Sequence, residues 1–139
     1  MSKREKYISD HFPAVDYGGK PLGAKVLVQL RTVAKKTGGG IILSNDTRDF
    51  NKGLTCLGIV REIGPLAFRN RNTMEPWPEG IWAKAGDVVM VERHVGRRFE
   101  VPIPGADESA LFVLLQDNNL DWVVSEAFED IEKVNDQLV

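Results

Sequence analysis

The sequence predicts a small all-β barrel folded as one domain. Six short segments alternate apolar and polar residues or run apolar for a strand's length, and clusters of turn residues separate them. The chain has 139 residues, 42% of them from the set AVILMFWYC, which suits one domain with one modest core.

In chain order, residues 1–20 are polar and end in Tyr17-Gly18-Gly19-Lys20, an N-terminal arm expected to be loosely ordered unless a partner holds it. Pro21-Leu22-Gly23 opens the first regular element. In residues 24–31, Val26, Val28 and Leu30 alternate with Lys25, Gln29 and Arg31, the period of a half-buried strand. Residues 32–54 fit neither the helical nor the strand period; Gly38-Gly39-Gly40 and Ile41-Ile42-Leu43 lie there amid polar residues. A loop this long in a compact domain is usually functional or disordered.

Residues 55–63 form the second predicted strand, closed by Gly64-Pro65. Residues 66–82 make another long connection, with Arg69-Asn70-Arg71-Asn72 at its tip and Pro76-Trp77-Pro78 on its return. Gly86-Asp87 is a turn, residues 88–92 a third strand, and residues 97–101 a fourth after the turn His94-Val95-Gly96. Two prolines and a glycine mark 102–109 as a loop, 110–115 is a buried strand, Asp117-Asn118-Asn119 turns, and 121–124 is a short last strand. The tail then changes period: Phe128, Ile131, Val134 and Leu138 fall three or four apart, so 126–138 reads as an amphipathic helix packed on the barrel or on a neighbour.

Composition excludes several function classes. A net charge of −2 offers no electrostatic footprint for nucleic acid or an anionic membrane. No apolar run approaches the ~20 residues that cross a bilayer, the start carries charges of both signs, and Cys56 has no partner for a disulfide, so a cytoplasmic location is expected. His11 and His94 lie far apart and lack further ligands at metal spacing, so no metal is expected. There is no nucleophile elbow or phosphate loop. Gly38-Gly39-Gly40 lacks the lysine and following helix of a phosphate cradle and reads as a hinge. Arg93, Arg97 and Arg98 beside Phe99 form a brief basic cluster, either a nucleic-acid contact, a solvated hairpin or a subunit contact.

Three stretches in order carry a family resemblance. Pro21-Leu22 with Lys25-Val26-Leu27-Val28 resembles the opening strand of the GroES-type co-chaperonins. Gly39-Gly40-Ile41-Ile42-Leu43 resembles the mobile loop of that family, and Gly58-Ile59-Val60-Arg61-Glu62-Ile63-Gly64 its second strand and closing glycine. Lys84-Ala85-Gly86-Asp87-Val88-Val89-Met90-Val91 is similar to its hallmark turn and strand, and residues 111–115 and 120–124 to its last strand pair. The resemblance covers residues 21–124. It implies a GroES-like β-barrel with a mobile loop over about 33–53 and a roof hairpin over about 65–82, flanked by the arm 1–20 and a C-terminal helix 125–139.

The resemblance further implies a non-enzymatic lid: a homo-heptameric ring that caps a GroEL-type chaperonin and encloses an unfolded client. It needs no cofactor of its own, because ATP is bound by the chaperonin. Gly39, Gly40, Ile41, Ile42 and Leu43 would bind the chaperonin. Val26, Val28, Leu120, Trp122, Val123 and Val124 would line the subunit interface, where opening and closing strands of neighbours pair, and Arg69, Arg71 and Trp77 would form the roof. The long connection 66–82, the arm and the tail exceed the family pattern; lengthened variants of this kind occur in phages that bring their own lid.

The loop suits reversible capping. Burying three large aliphatics gives about 1.5–3 kcal/mol each, while ordering the loop costs about 1–2 kcal/mol per residue fixed. One loop then binds weakly, and several on one ring gain ~10²–10⁴ by avidity. From residues alone, other readings stand beside the lid: Ile41–Leu43 as a short buried strand, the 66–82 arms simply packing on each other, or the whole chain as a structural adaptor of a larger assembly or an oligonucleotide-binding barrel.

Overall fold

The computed structural model describes residues 2–31, 56–92, 94–131 and 134. Among the described residues, helix α1 spans Lys3–His11, and six strands follow: β1 Lys25–Leu30, β2 Leu57–Ile63, β3 Val88–Val91, β4 Arg97–Pro102, β5 Ser109–Gln116 and β6 Leu120–Val123. They form one antiparallel sheet in the order β4-β5-β1-β2-β3-β6. A 3₁₀ turn, Asp117–Asn119, links β5 to β6, the second and sixth places in that order. Four inter-strand spacings across a flat sheet come to about 19 Å. The four Cα steps from Gln116 to Leu120 reach at most ~15 Å. The sheet must therefore curl, as the predicted all-β barrel requires.

The curl encloses a core. Val26, Val28 and Leu30 of β1 meet Val60 of β2, Val89 and Val91 of β3, Leu111, Val113 and Leu115 of β5, and Leu120 of β6. Those of β1 are the period-two positions read from the sequence. The observed strands lie within one or two residues of the predicted ones.

The other face of β1 departs from expectation. Leu27 and Gln29 are as buried as the core positions, so β1 is covered on both sides rather than half-buried. The cover is the N-terminal arm. Val15 and Tyr17 pack with Leu27, Ala110 and Phe112 outside β1 and β5, while Tyr7 and Phe12 pack with Leu57, Ile59 and Val88 outside β2 and β3. The arm is thus an ordered outer layer.

Its helix has a clear local cause. Ser2 caps α1 by accepting the Glu5 N–H at 3.1 Å, and Glu5 sits where the helix dipole favours an acid. Tyr7 stacks on His11 one turn later, and Pro13 follows the C-cap Phe12 and stops the helix.

The tail also differs from expectation. Residues 125–130 trace a turn and irregular backbone, so the helix expected from 126 does not begin there; 132–133 and 135–139 lie outside the described residues. The reason is competition for carbonyls. Ser125 O accepts the Phe128 N–H at 3.0 Å and the Arg4 guanidinium at 2.8 Å, and Phe128 O accepts the same guanidinium nitrogen at 3.0 Å. Ile131 is nonetheless buried and Val134 half-buried against the α1 cluster, as the apolar spacing predicts, whereas Phe128 stays exposed.

Candidate functional site

β1 and β2 pair with Leu30 opposite Gly58, and the Arg31 N–H donates to Leu57 O at 2.9 Å just beyond. The chain therefore leaves the barrel at Arg31 and returns at Cys56 side by side. Gly39, Gly40, Ile41, Ile42 and Leu43 all fall between these roots and lie outside the described residues. The return root is tied down, since Cys56 O accepts the Val91 N–H at 3.0 Å.

β2 carries a device that a period-two reading misses. Leu27 pairs with Glu62 and Val28 with Val60, so Arg61 is an extra residue in a β-bulge. A bulge re-aims side chains, and here Arg61 and Glu62 both serve the outer layer. Arg61 donates to Gln29 Oε1 at 2.8 Å and to Phe12 O at 3.0 Å, Gln29 Nε2 donates to Pro13 O at 2.8 Å, and Tyr17 O–H donates to Glu62. The buried Gln29 amide is thereby satisfied, and the arm is clipped at two points. Burial holds the Arg61 guanidinium below the usual arginine range, countered in part by Tyr17. Burial first, and then the bond to Glu62, push the Tyr17 phenol up to about 12.

The Lys84–Asp87 turn locks onto β2. Val60 O accepts the Gly86 N–H at 2.7 Å, and the Val60 N–H donates to Asp87 O at 2.9 Å. Gly86 takes φ +96°, a conformation side chains resist. Asp87 accepts both the Lys84 N–H and its ammonium at 3.0 Å, and Glu126 holds the same ammonium. Glu126 first, then Asp87, raise the Lys84 ammonium above the usual lysine range.

Residues 66–82 form a hairpin braced from within. Arg69 bridges to Pro76, and the Trp77 N–H donates to Phe68 O at 3.0 Å. Phe68, Trp77 and Trp82 form an aromatic triad with ring centroids 4.8–6.2 Å apart. Of the predicted roof residues, Arg69 donates across the hairpin to Met74 O at 3.0 Å and Trp77 belongs to the triad. Arg71 points back to the barrel: one of its nitrogens lies 2.7 Å from both carboxylate oxygens of Asp117. Asp117 is 1% exposed and also accepts the Phe68 N–H at 2.8 Å. The arms do pack on each other, and the arginines spend their donors holding them.

The expected interface residues divide. Val26 and Val28 are fully buried in the protomer's own core, and β1 is paired on both sides, so neither its side chains nor its edges are open to a neighbour. Leu120 and Val124 are buried too. Trp122 is 63% exposed and Val123 39%, on a strand whose outer edge has no partner among the described residues. Beside them, Ile81 is 65% exposed, and Glu79, Ile81, Trp82, Leu120, Asp121, Trp122 and Val123 line a groove of about 430 Å³. From the sequence, Ile81 and Trp82 are expected on the return of the 66–82 connection, as roof or client contact, and not beside β6, while Glu79 and Asp121 carry no expected role. A second exposed aliphatic, Leu22 at 70%, stands next to Pro21 at the start of the barrel.

The basic cluster does not form one face. Arg97 and Arg98 are consecutive in β4 and point to opposite sides, Arg97 exposed and Arg98 half-buried; Arg93 lies outside the described residues. Among the described residues no group of three His, Cys, Asp or Glu side chains could hold a metal ion, and no helix is long and apolar enough to cross a membrane.

Comparison with known proteins adds the family. The family model described as Chaperonin 10 Kd subunit matches residues 19–120, which take in β1 to β5, the first residue of β6, the hairpin and the connection between Arg31 and Cys56. The protein named Co-chaperonin GroES of Leuconostoc citreum (strain KM20) is 34% identical over 92 residues, covering 66% of this chain and 87% of that relative.

Proposed function

The chain belongs to the Chaperonin 10 Kd subunit family, a family of co-chaperonins, and on that premise we propose that it forms a ring-shaped lid for a GroEL-type chaperonin. The observation that carries this reading is the family match over 19–120 on a curled sheet with one long connection between adjacent roots. The connection offers Gly39, Gly40, Ile41, Ile42 and Leu43 to an apolar groove on the chaperonin, one loop per protomer. Seven protomers, by family analogy, present seven weak hooks, and avidity turns them into a grip that the partner's ATP cycle can release. The lid itself uses no cofactor and no catalytic residue, acts in the cytoplasm, and closes over an unfolded client.

The ring contact is made at the free edge of β6. Trp122, Val123 and Ile81 are large apolar side chains left in water on one protomer, and such a patch usually marks an interface. The occupant is the 20–22 segment of a second copy: Leu22 brings the apolar side chain and Lys20 a positive charge for Glu79 and Asp121. Ile42→Asp tests the hook separately from the ring. The expected result is an intact ring by mass that no longer co-purifies with a chaperonin in the presence of nucleotide. Unchanged chaperonin binding would remove the hook from the mechanism.

A further inference from the structure

β6 is the least supported strand of the sheet. It is four residues long, pairs among the described residues only with β3, and its register breaks between Met90 and Val91, which leaves Asp121 as an extra residue. Yet the ring reading assigns it the docking edge. Something other than the sheet must hold it in place.

The holder is at its C-terminal end. The Val124 N–H donates to Val88 O at 2.8 Å, and the Val124 side chain is 3% exposed in a cluster with Tyr7, Phe12, Leu57, Val88 and Ile131. Two of those residues come from the N-terminal arm. Directly after Val124, the Arg4 guanidinium grips Ser125 O at 2.8 Å and Phe128 O at 3.0 Å, the Arg4 N–H donates to Glu129 at 3.0 Å, and Lys3 pairs with Asp130 at 3.2 Å. Glu126 is held from the opposite side by Lys84. The first turn of α1 and residues 124–131 thus form one unit, built from contacts some 125 residues apart in sequence.

We infer that α1 and the C-terminal segment act as a clasp that fixes the free edge of β6, and that assembly of a second copy on that edge depends on the N-terminal helix. Arg4 is the positioning residue. It touches no neighbour in this role; it ties down the two carbonyls that follow the strand. The assembly half of this inference rests on the ring reading, whereas the clasp itself does not.

The test compares Arg4→Met, which keeps the apolar stem and removes the donors, with Arg4→Lys, which keeps a cationic donor. Amide hydrogen exchange is followed at Val124 and across β1 and β5, and oligomer mass is followed on dilution. Arg4→Met is expected to speed exchange at Val124 by roughly tenfold while β1 and β5 stay protected. The protomer concentration needed for assembly rises by roughly tenfold, equivalent to ~1.4 kcal/mol, and Arg4→Lys recovers part of both effects. Unchanged exchange at Val124, or an equal rise across β1 and β5, overturns the clasp. Faster exchange at Val124 with an unmoved assembly midpoint overturns its role in docking. If the natural chain stays monomeric at every concentration, the ring reading fails, and the exchange data still decide the clasp.

Discussion

Removing Arg71 exposes what the buried carboxylate of Asp117 costs without a counter-ion. Asp117 is 1% exposed, while the Arg71 side chain is 47% exposed. Arg71→Ala leaves that carboxylate buried with one remaining donor among the described residues, the Phe68 N–H at 2.8 Å. Breaking a fully buried pair from one side costs about 3–5 kcal/mol; with the arginine end half in water, roughly 2–3 kcal/mol is expected. Asp117→Asn removes the charge but keeps an acceptor for the Phe68 N–H, so it costs about 1 kcal/mol. The diagnostic is the double variant. Arg71→Ala with Asp117→Asn should be more stable than Arg71→Ala alone, because the uncompensated charge is gone. Urea unfolding at one fixed protomer concentration reads all three, the fixed concentration keeping assembly from contributing to the differences. If the double variant is no more stable than Arg71→Ala, or if Arg71→Ala costs under ~0.5 kcal/mol, the pair is a surface contact and the hairpin is held by its aromatic triad instead.

Two further perturbations probe the layers around the core. Tyr17 ionises near 12 in the folded chain against an ordinary value of 10.0, so its contribution is full below pH 10 and is lost as pH rises through about 12. Stability should therefore fall over that window more steeply in the natural chain than in Tyr17→Phe, measured by urea midpoints at stepped pH; parallel curves would remove the Glu62 contact from the arm's anchoring. Gly64→Ala would place a Cβ 2.3 Å from Gly23 O and 3.0 Å from Lys25 O, both backbone atoms. A loss of about 1–3 kcal/mol is expected, seen as a lowered thermal midpoint, and an unchanged midpoint would mean that the Gly23 turn can yield.

The strands were legible because each inward position is apolar and each turn carries its own punctuation. β1 shows where that legibility stops. Gln29 reads as a solvent-facing residue, and its burial depends on Pro13 O and Arg61, neither of which a local window can connect to it. The bulge at Arg61 is invisible for the same reason, since only the partner strand reveals the extra residue. α1 was missed because seven of its nine residues are charged or polar and only Tyr7 and Ile8 are large and apolar. The Ser2-Lys3-Arg4-Glu5 capping pattern and Pro13 were the signals that could have found it. In the tail, spacing correctly chose Ile131 and Val134 as inward residues but not the backbone that delivers them, because Arg4 decides that from the other end of the chain.

The two edges of the sheet that stand open among the described residues differ in a way that bears on the ring reading. β4 offers Arg97, Glu100 and Pro102, charges and a missing donor that discourage strand addition. β6 offers Trp122 and Val123 beside an acid-flanked groove. Two β6 edges meeting about a two-fold axis would bring Asp121 and Glu79 close to their own copies, and like charges across an interface are costly. A heterologous contact, β6 of one protomer against the 20–22 segment of the next, instead sets those carboxylates against Lys20. Contacts of that type close into rings or run on as filaments. A dimeric end state in mass measurements would therefore count against the proposed lid as firmly as a monomer, because it would mean that the β6 edge has found a self-complementary partner.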